Sequence, residues 1–398
     1  MVEGCRHRVV AVGPYHLPVD PRERSKLVVR AAGAIVVLLL LAAIVATWVY
    51  SGVLRDELVA NVDSELIRDI EIATVGSGRI EVARTPLTEI EGIWGVDGPN
   101  GYGQASVVIA TTDDTVERAF RTQEGSFTVG DLIRFDPIAY PGDPLKAHGI
   151  EFDEVRFTGD LGVYPAWVID GDRDLWVVII HGNGPAERAE ALRFIPGLMA
   201  QRYPVMVITV RGDSEAPNSR TGLRALGATE WRDLASAIEF ALAQDAEEFV
   251  LLGLDTGAST AAMYLQEADD ASAVKGAVFD SALHDPERIA DLLAAERKVI
   301  GPLREAGKLL ARVRFDIDWD ELDQIDRAGL YSVPILVMHG TDDEVVPLEI
   351  ADDFVTGLGD LATYEVFEGG IHSQLWNADP ARYEGALLDF IDRVGSAE

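Results

Sequence analysis

One segment in the second half of the chain sets a single carboxylate between two glycines. An apolar run at residues 248–252 leads into Gly253-Leu-Asp255-Thr-Gly257, and an Ala-rich stretch of helical character follows directly. A tight turn from a strand into a helix pushes its central side chain into a pocket, and a Cβ on either flank of so sharp a bend would clash. The spacing therefore predicts that Asp255 projects into a pocket, at a position that serine usually occupies in such turns.

Three other segments with polar side chains also follow apolar runs. They are His181-Gly-Asn183-Gly184, Gly340-Thr-Asp342-Asp343 and Glu368-Gly-Gly-Ile-His372. Open α/β sheets bind their ligands at the carboxyl ends of the strands. Gly182 and Gly184 allow backbone N–H groups to point at a developing negative charge. The segment at 340–343 offers an acid, and the segment at 368–372 offers a base. Together the four segments predict a site with nucleophile, acid and histidine in that chain order.

The elements that must position these segments alternate between strand and helix from residue 149 to residue 398. Several of the apolar runs are continuous in Val, Ile and Leu, which is typical of parallel strands covered on both faces. The strands are predicted at Glu154–Phe157, Ala166–Ile169, Trp176–Ile180, Val205–Val210, Phe249–Leu252, Ala277–Phe279, Ile335–Met338 and Thr363–Phe367. The first two form a hairpin, and a helical insert at about 283–328 precedes the seventh. The pattern predicts an α/β protein with a mostly parallel eight-stranded sheet.

In this order the four segments resemble those of the α/β-hydrolase fold family, most closely membrane-anchored relatives of serine esterases and of S33- or S9-type peptidases. The resemblance implies a hydrolase of a small-molecule substrate, with His372 as base and Asp343 as acid, or Asp342 if the turn is shifted by one residue. It implies an oxyanion hole made by the backbone N–H groups of Asn183 and Thr256. It also implies that the insert is a lid, whose Leu292, Leu293 and Leu309 either wall the pocket or simply pack on the sheet.

The residue at the nucleophile position departs from the serine pattern. Haloalkane dehalogenases and epoxide hydrolases of this fold use Asp there, so that a carboxylate attacks an sp³ carbon and the histidine then activates water against the resulting ester. Those relatives usually have Trp after the Asp, where this chain has Thr256. Two hypotheses follow: an active hydrolase with an Asp255–His372–Asp343 set, and an inactive binding or scaffold protein. Ser259, one helical turn later, is expected to cap or pack.

Two other sites suggested by short motifs are set aside. Asp255-Thr-Gly is also the signature of pepsin-like aspartic proteases, but there it lies in an all-β fold and pairs with a second copy, which this sequence lacks. The acidic cluster at 316–323 has apolar residues between its carboxylates and no central glycine, which argues against a calcium loop. The sequence also contains a single cysteine, Cys5, so no cysteine cluster could bind a metal. We therefore expect neither a metal nor a cofactor.

The first part of the chain predicts a membrane anchor. Residues 31–50 are an uncharged apolar run of the length that crosses a bilayer as a helix, preceded by a basic tail at 1–30 and followed by Asp56 and Glu57. The charge asymmetry predicts a single-pass protein of the cell membrane with a cytoplasmic N-terminus and an extracytoplasmic catalytic domain. A cleaved signal peptide is the alternative, although its apolar core is usually shorter.

A second module and the overall charge complete the sequence interpretation. Short β-like runs such as Ile80–Ala83, Ser106–Ala110 and Asp131–Phe135, separated by turn signals such as Asp97–Gly101, predict a small β-rich accessory module at 55–148. We expect it to space or shield the catalytic domain. The net charge of −33 excludes nucleic acid as a partner, because such a surface repels phosphate.

Overall fold

The architecture is taken from a computed structural model that describes residues 21–58 and 67–396. Most of the basic tail predicted at 1–30, with Cys5, lies outside the described residues. The chain forms three parts: a long N-terminal helix, a barrel and an α/β domain.

The long helix α1 spans Pro21–Leu58 and extends beyond both ends of the predicted 31–50 segment. Among the described residues it is the helix that is long and apolar enough to cross a membrane, with a mean hydropathy of 2.7 in its most apolar window. The side chains in that window are exposed, but Tyr50, Leu54 and Leu58 near its end are buried. The last two turns of α1 are therefore part of the folded domain that follows.

The β-rich module is a closed antiparallel barrel, which the sequence interpretation did not foresee. Its strands are β1 Ile70–Gly76, β2 Arg79–Ala83, β3 Trp94–Gly98, β4 Gly101–Thr111, β5 Thr115–Gly125 and β6 Leu132–Asp136, in the order β1-β2-β5-β4-β3-β6. The short helices α2, Pro86–Glu89, and α3, Pro144–His148, flank it. Alternate residues such as Ile70, Ile72, Ile80 and Val82 fill the interior. Closure leaves no free strand edge for non-native pairing.

The α/β domain contains the predicted eight-stranded, mostly parallel sheet. Its strands are β7 Asp153–Thr158, β8 Val163–Ile169, β9 Leu175–Ile180, β10 Val205–Ile208, β11 Glu248–Leu254, β12 Val274–Asp280, β13 Ile335–Gly340 and β14 Ala362–Phe367. The order is β14-β13-β12-β11-β9-β10-β8-β7, and β8 runs antiparallel to both β10 and β7. The predicted hairpin of the first two strands is present, whereas β10 ends two residues before the predicted boundary.

Helices cover both faces of this sheet. They are α4 Ile195–Ala200, α5 Trp231–Leu242, α6 Thr256–Glu267, α7 Pro286–Glu296, α8 Gly301–Phe315, α9 Trp319–Leu322, α10 Leu348–Leu358, α11 Leu375–Ala378 and α12 Pro380–Gly395. Within β9, Val178 and Ile180 pack in the core with α5 and α6, while Val177 and Ile179 pack with α4 and α12. Burial on both faces explains why the strands are continuous apolar runs.

The insert between β12 and β13 contains α7, α8 and α9, and it packs against the end of α1. The Tyr50 hydroxyl donates a hydrogen bond to the carbonyl of Ala290, at 3.1 Å. Gly307 of α8 lies beneath the Tyr50 ring, where a Cβ would come within 2.3 Å of a ring carbon. Arg314 stacks on Trp48, 3.5 Å from the ring centroid, and donates to its carbonyl oxygen. These contacts fix the insert to the helix that precedes the barrel.

Candidate active site

The turn that presents Asp255 joins β11 to α6. Asp255 has a φ of +50°, a left-handed conformation that a side chain other than that of glycine adopts at a cost in conformational energy. Its glycine neighbours have no room for a side chain, since a Cβ on Gly257 would lie 2.1 Å from the carbonyl oxygen of Ile180, and one on Gly253 would lie 2.4 Å from Ala258. The packing around this turn thus explains both glycines and directs Asp255 outward from the sheet.

The Asp255 carboxylate interacts with two different partners through its two oxygens. Oδ1 lies 3.4 Å from Nε2 of His372. Oδ2 accepts a hydrogen bond from the backbone N–H of Asn183, at 3.1 Å, and the N–H of Thr256 also bonds to the carboxylate. The two N–H groups expected to form an oxyanion hole therefore both hold Asp255. One oxygen faces the histidine while the other is held by the hole.

His372 is oriented from its other side by Asp343. Its Nδ1 lies 2.8 Å from Oδ2 of Asp343, whose Oδ1 accepts the N–H groups of Val345 and Val346 at 2.9 and 2.8 Å. Asp342, the alternative acid, is exposed and bonds to the hydroxyl of Thr341. The structure thus brings Asp255, His372 and Asp343 together in one chain of contacts and leaves Asp342 outside it.

Asp255 and His372 shift each other's pKa in opposite directions: the pKa of His372 is raised and that of Asp255 is lowered. Burial alone would lower the pKa of His372, but hydrogen bonds and charge from Asp255 and Asp343 raise it to about 10. Burial would raise the pKa of Asp255, but His372 and the N–H groups of Asn183 and Thr256 outweigh burial and lower it. At neutral pH the site accordingly contains an imidazolium between two carboxylates.

Comparison with solved structures finds esterases. The esterase Pf2001 of Pyrococcus furiosus superposes with a TM-score of 0.50 at 17% identity, over 64% of this chain and 95% of that chain. An esterase from Exiguobacterium antarcticum gives 0.45 at 18% identity over 60% of this chain and 100% of that one, and a thermophilic esterase from Thermogutta terrifontis gives 0.44 at 19% over 61% and 100%. No protein-family model and no curated protein sequence matches the chain.

This chain has an α/β-hydrolase fold. The strand order, with its antiparallel β8, and the superposition on Pf2001 both carry that assignment. At 17% identity the superposition describes the fold, and the reaction has to be argued from the site itself. In this α/β-hydrolase domain each of the four polar segments lies directly after a strand: β9, β11, β13 and β14.

A cavity of about 560 Å³ opens over Asp255 between the sheet and the lid. It is lined by Glu57, Leu58, Gly182, Asn183, Gly184, Glu190, Asp255, Thr256, Leu283, Ile289, Leu292, Leu293, Glu296, Glu344, Val345, Pro347, His372, Ser373 and Gln374. Leu292 and Leu293 line it, which was one of the two alternatives left open for these residues. Leu309 does not, because it lies on the outer side of α8 with 65% of its surface exposed. Ser259 is buried in α6 and is not among the lining residues.

Several residues that support the site were not singled out from the sequence. Glu190 accepts the N–H of Gly182, at 3.0 Å, and so fixes the loop of the oxyanion hole. Arg193 donates to the carbonyl of Ser373, beside His372, and to the side chain of Asn377, at 3.0 and 2.9 Å. Both side chains lie on a short 3₁₀ helix, Glu187–Arg193, which is too short to show a periodic pattern, so nothing in the sequence distinguished them from charged surface residues.

Asn377 connects the loop of His372 to the barrel. Its side-chain amide donates to the carbonyls of Ile93 and Pro137, both at 2.7 Å, while its oxygen accepts from Arg193. The side chain is fully buried, so all its polar atoms depend on these partners. The barrel is therefore held directly against the segment that follows His372.

His181 is buried with Nε2 2.8 Å from Asp213, so it holds the turn after β9 rather than facing the cavity. Over residues 21–58 and 67–396 no group of three or more His, Cys, Asp or Glu side chains is arranged to hold a metal ion.

Proposed function

We propose that this protein is a membrane-anchored hydrolase in which the carboxylate of Asp255 is the nucleophile. The observation that carries the proposal is the division of roles between its oxygens, with Oδ1 beside His372 and Oδ2 in the oxyanion hole. In a serine enzyme the hole receives the substrate oxygen. Here it holds the oxygen on which negative charge will develop when an ester of Asp255 is hydrolysed.

In the first step Oδ1 attacks an sp³ carbon of the substrate. A C–O bond to Asp255 forms, the bond to the leaving group breaks, and the leaving group departs with the electron pair. Asp255 is then a neutral ester. With one of its two carboxylate partners neutralised, the imidazolium of His372 loses much of the stabilisation that raises its pKa and releases its proton to water.

In the second step neutral His372 takes a proton from a water molecule, which attacks the carbonyl carbon of the Asp255 ester. The oxyanion forms on Oδ2, where the N–H of Asn183 stabilises it, and the N–H of Thr256 also bonds to this carboxyl group. Collapse of this intermediate expels the alkoxide, which takes the carboxyl proton and leaves as an alcohol. Asp255 is again a carboxylate beside a protonated His372, which is the starting state.

The cavity restricts the leaving group. Among its described lining residues there is no Tyr, Trp, Lys or Arg that could protonate a leaving alkoxide. We therefore propose a substrate whose leaving group departs as a stable anion, such as a halide, in preference to an ester or an amide.

The contacts of α1 support an uncleaved anchor over a removed signal peptide. Tyr50, Leu54 and Leu58 are buried against the lid, so cleavage after the apolar run would remove residues from the folded domain. Six basic residues before the run, at positions 6, 8, 22, 24, 26 and 30, favour a cytoplasmic N-terminus. The catalytic domain would then lie outside the cell, at the membrane surface.

A non-catalytic binding protein on the same fold is the second candidate. It is favoured by the occupation of both oxyanion-hole donors by Asp255 and by the lack of a leaving-group activator among the described cavity residues. Such a protein would bind its ligand without turnover, and the Asp255→Asn variant would bind it similarly.

The experiment that tests the proposal uses the full chain with short haloalkanes, epoxides and esters. The His372→Ala variant should accumulate an alkyl adduct, seen by intact mass and mapped to Asp255, because the ester forms but water is not activated. Asp255→Asn should show neither turnover nor adduct. Asp343→Asn should slow turnover, whereas Asp342→Asn, a matched change one residue away, should not. Ester turnover that survives Asp255→Asn would identify a different nucleophile, and an inert wild type would favour the binding protein.

A further inference from the structure

The anchor helix itself forms part of the wall of the catalytic cavity. Glu57 and Leu58, the last residues of α1, line the same cavity as Asp255 and His372. Tyr50 stands at the end of the apolar run, and Leu58 lies eight positions further along the helix. At about 1.5 Å per residue this is about 12 Å, somewhat more than the roughly 5–8 Å of one headgroup layer. The cavity therefore opens close to the membrane surface.

The lid presents exposed apolar side chains beside the same part of α1. Leu309 and Val313, one helical turn apart on α8, are 65% and 77% exposed, and Ile300 just before α8 is 68% exposed. The neighbouring Arg314 stacks on Trp48 of α1, which sets the end of α8 at the level where the apolar run finishes. Exposed apolar residues of this kind mark a contact surface, and the adjacent helix indicates that the surface it meets is the membrane.

The charge of α7 and α8 differs from that of the chain as a whole. Residues 286–315, which span these two helices, contain seven basic and four acidic residues, whereas the whole chain carries a net charge of −33. Many of these basic groups pair with neighbouring acids, as Lys308 does with Glu287 and Asp291. Over the whole insert at 283–328 there are eleven acidic and eight basic residues, so the contact with the membrane rests on the exposed apolar side chains of α8 and not on charge.

A second cavity continues the apolar surface along α1. It has a volume of about 630 Å³ and is lined by Leu41, Ala42, Val45, Ala46, Val49, Tyr50 and Val53 of α1 with Arg297 and Val299 of the lid. Glu296, the residue before Arg297, lines the catalytic cavity. Neighbouring lid residues therefore border both the groove along the membrane helix and the site of chemistry.

We propose that the substrate is a long-chain amphiphile that reaches Asp255 from the outer leaflet of the membrane. Its chain would pass along the groove beside α1 and lie against Leu58, Ile289, Leu292 and Leu293, while its reactive carbon lies near Asp255. The reaction rests on the proposed function, but the binding of the amphiphile does not. Relative to water, each methylene that passes into the bilayer or the channel should raise affinity about fourfold.

The test uses photolabelling, which requires no turnover. The full chain is reconstituted in phosphatidylcholine vesicles with hexadecanol carrying a diazirine near the hydroxyl end, or with the hexanol analogue. The hexadecanol probe should label peptides containing residues 283–296 and 372–374 at least tenfold more than the hexanol probe at equal total concentration. Equal labelling by the two probes, or labelling confined to α1, would overturn the proposal.

Surface variants test the route from the membrane. Leu309→Asp with Val313→Asp should reduce labelling of the cavity from vesicles at least threefold, because it places charge on the face that contacts the bilayer. Val129→Asp is the matched control, since Val129 is also 65% exposed but lies just before β6 of the barrel. Unchanged labelling in the lid variant, or an equal loss in both variants, would contradict the membrane route. Labelling of the cavity without turnover of any electrophile would leave this proposal standing and refute the proposed reaction.

Discussion

The ionisation of His372 gives the sharpest test of the site, because two carboxylates act on one imidazole. Its pKa of about 10 means that the free protein carries an imidazolium at neutral pH. We predict that Asp255→Asn, which removes one charge with little change in shape, lowers this pKa substantially. Alkylation of Asp255 neutralises the same charge, so the variant imitates the step that would turn His372 into a base.

The expected size follows from the distance between the two groups. For unit charges 3.4 Å apart, as between Nε2 of His372 and Oδ1 of Asp255, an effective dielectric constant of about 20 gives about 5 kcal/mol. That corresponds to about 3.5 pKa units as an upper bound, since 1.36 kcal/mol is one unit. The asparagine can still hydrogen-bond, so we expect a fall of about 2–3 units, to a pKa of about 7–8. With Asp343→Asn added, burial should dominate and bring the value below that of a free histidine.

The assay follows the Cε1–H signals of labelled histidines against pH, with His372→Gln used to assign the signal. The full chain contains seven histidines, so the assignment by a single variant is practical. A midpoint near 10 in the wild type and near 7–8 in Asp255→Asn would agree with the geometry. A wild-type midpoint near 6.5, or one that Asp255→Asn does not move, would refute the ion-pair arrangement and the mechanism built on it.

Three further predictions concern stability, each measured by thermal unfolding of the full chain in detergent micelles. Gly257→Ala should lower Tm by about 5–10 °C because its Cβ would meet the carbonyl of Ile180, whereas Gly385→Ala, which meets open space, should not lower it. Asn377→Ala should lower Tm by several degrees, about 2–3 kcal/mol, because it removes the amide that donates to the partly buried carbonyls of Ile93 and Pro137. An unchanged Tm would contradict the role of Asn377 in holding the barrel against the α/β domain. The raised pKa of His372 stabilises the folded protein. This stabilisation is fully present below the pKa of about 6.5 that the histidine has in the unfolded chain, and it is lost as the pH rises through about 10. The Tm difference between wild type and His372→Gln should therefore shrink between pH 7 and pH 10.5.

The sheet was predictable from the sequence because its information is local. Continuous apolar runs indicated the parallel strands. The glycines on either side of Asp255 indicated a tight turn, in which the structure leaves no room for a Cβ at these two positions. The same local information could not show that β1 pairs with β6 to close the barrel, because the two strands are distant in sequence and neither carries a sign of its partner. Leu309 was placed in the pocket as one of two possibilities, since helical spacing alone does not say which apolar face turns inward.

The contacts made by the end of α1 could not be predicted for a related reason. Leu54 and Leu58 are indistinguishable in the sequence from the apolar residues before them, yet they are buried by the lid while the earlier ones are exposed. Only the fold brings the end of α1 beside Leu292 and Leu293. The sequence interpretation therefore treated the N-terminal helix and the α/β domain as separate parts. In the structure, Glu57 and Leu58 at the end of this helix line the cavity of the α/β domain.

If Asp255 attacks the substrate itself, the oxygen of the product alcohol comes from its carboxylate and not from water. With enzyme in excess over an electrophilic substrate in H₂¹⁸O, the first turnover should yield an alcohol containing ¹⁶O taken from Asp255. The carboxylate of Asp255 should then contain ¹⁸O, because water attacks the ester at its carbonyl carbon. An ¹⁸O-labelled alcohol in the first turnover, with no label in the peptide of Asp255, would show that water attacks the substrate directly and would contradict the account.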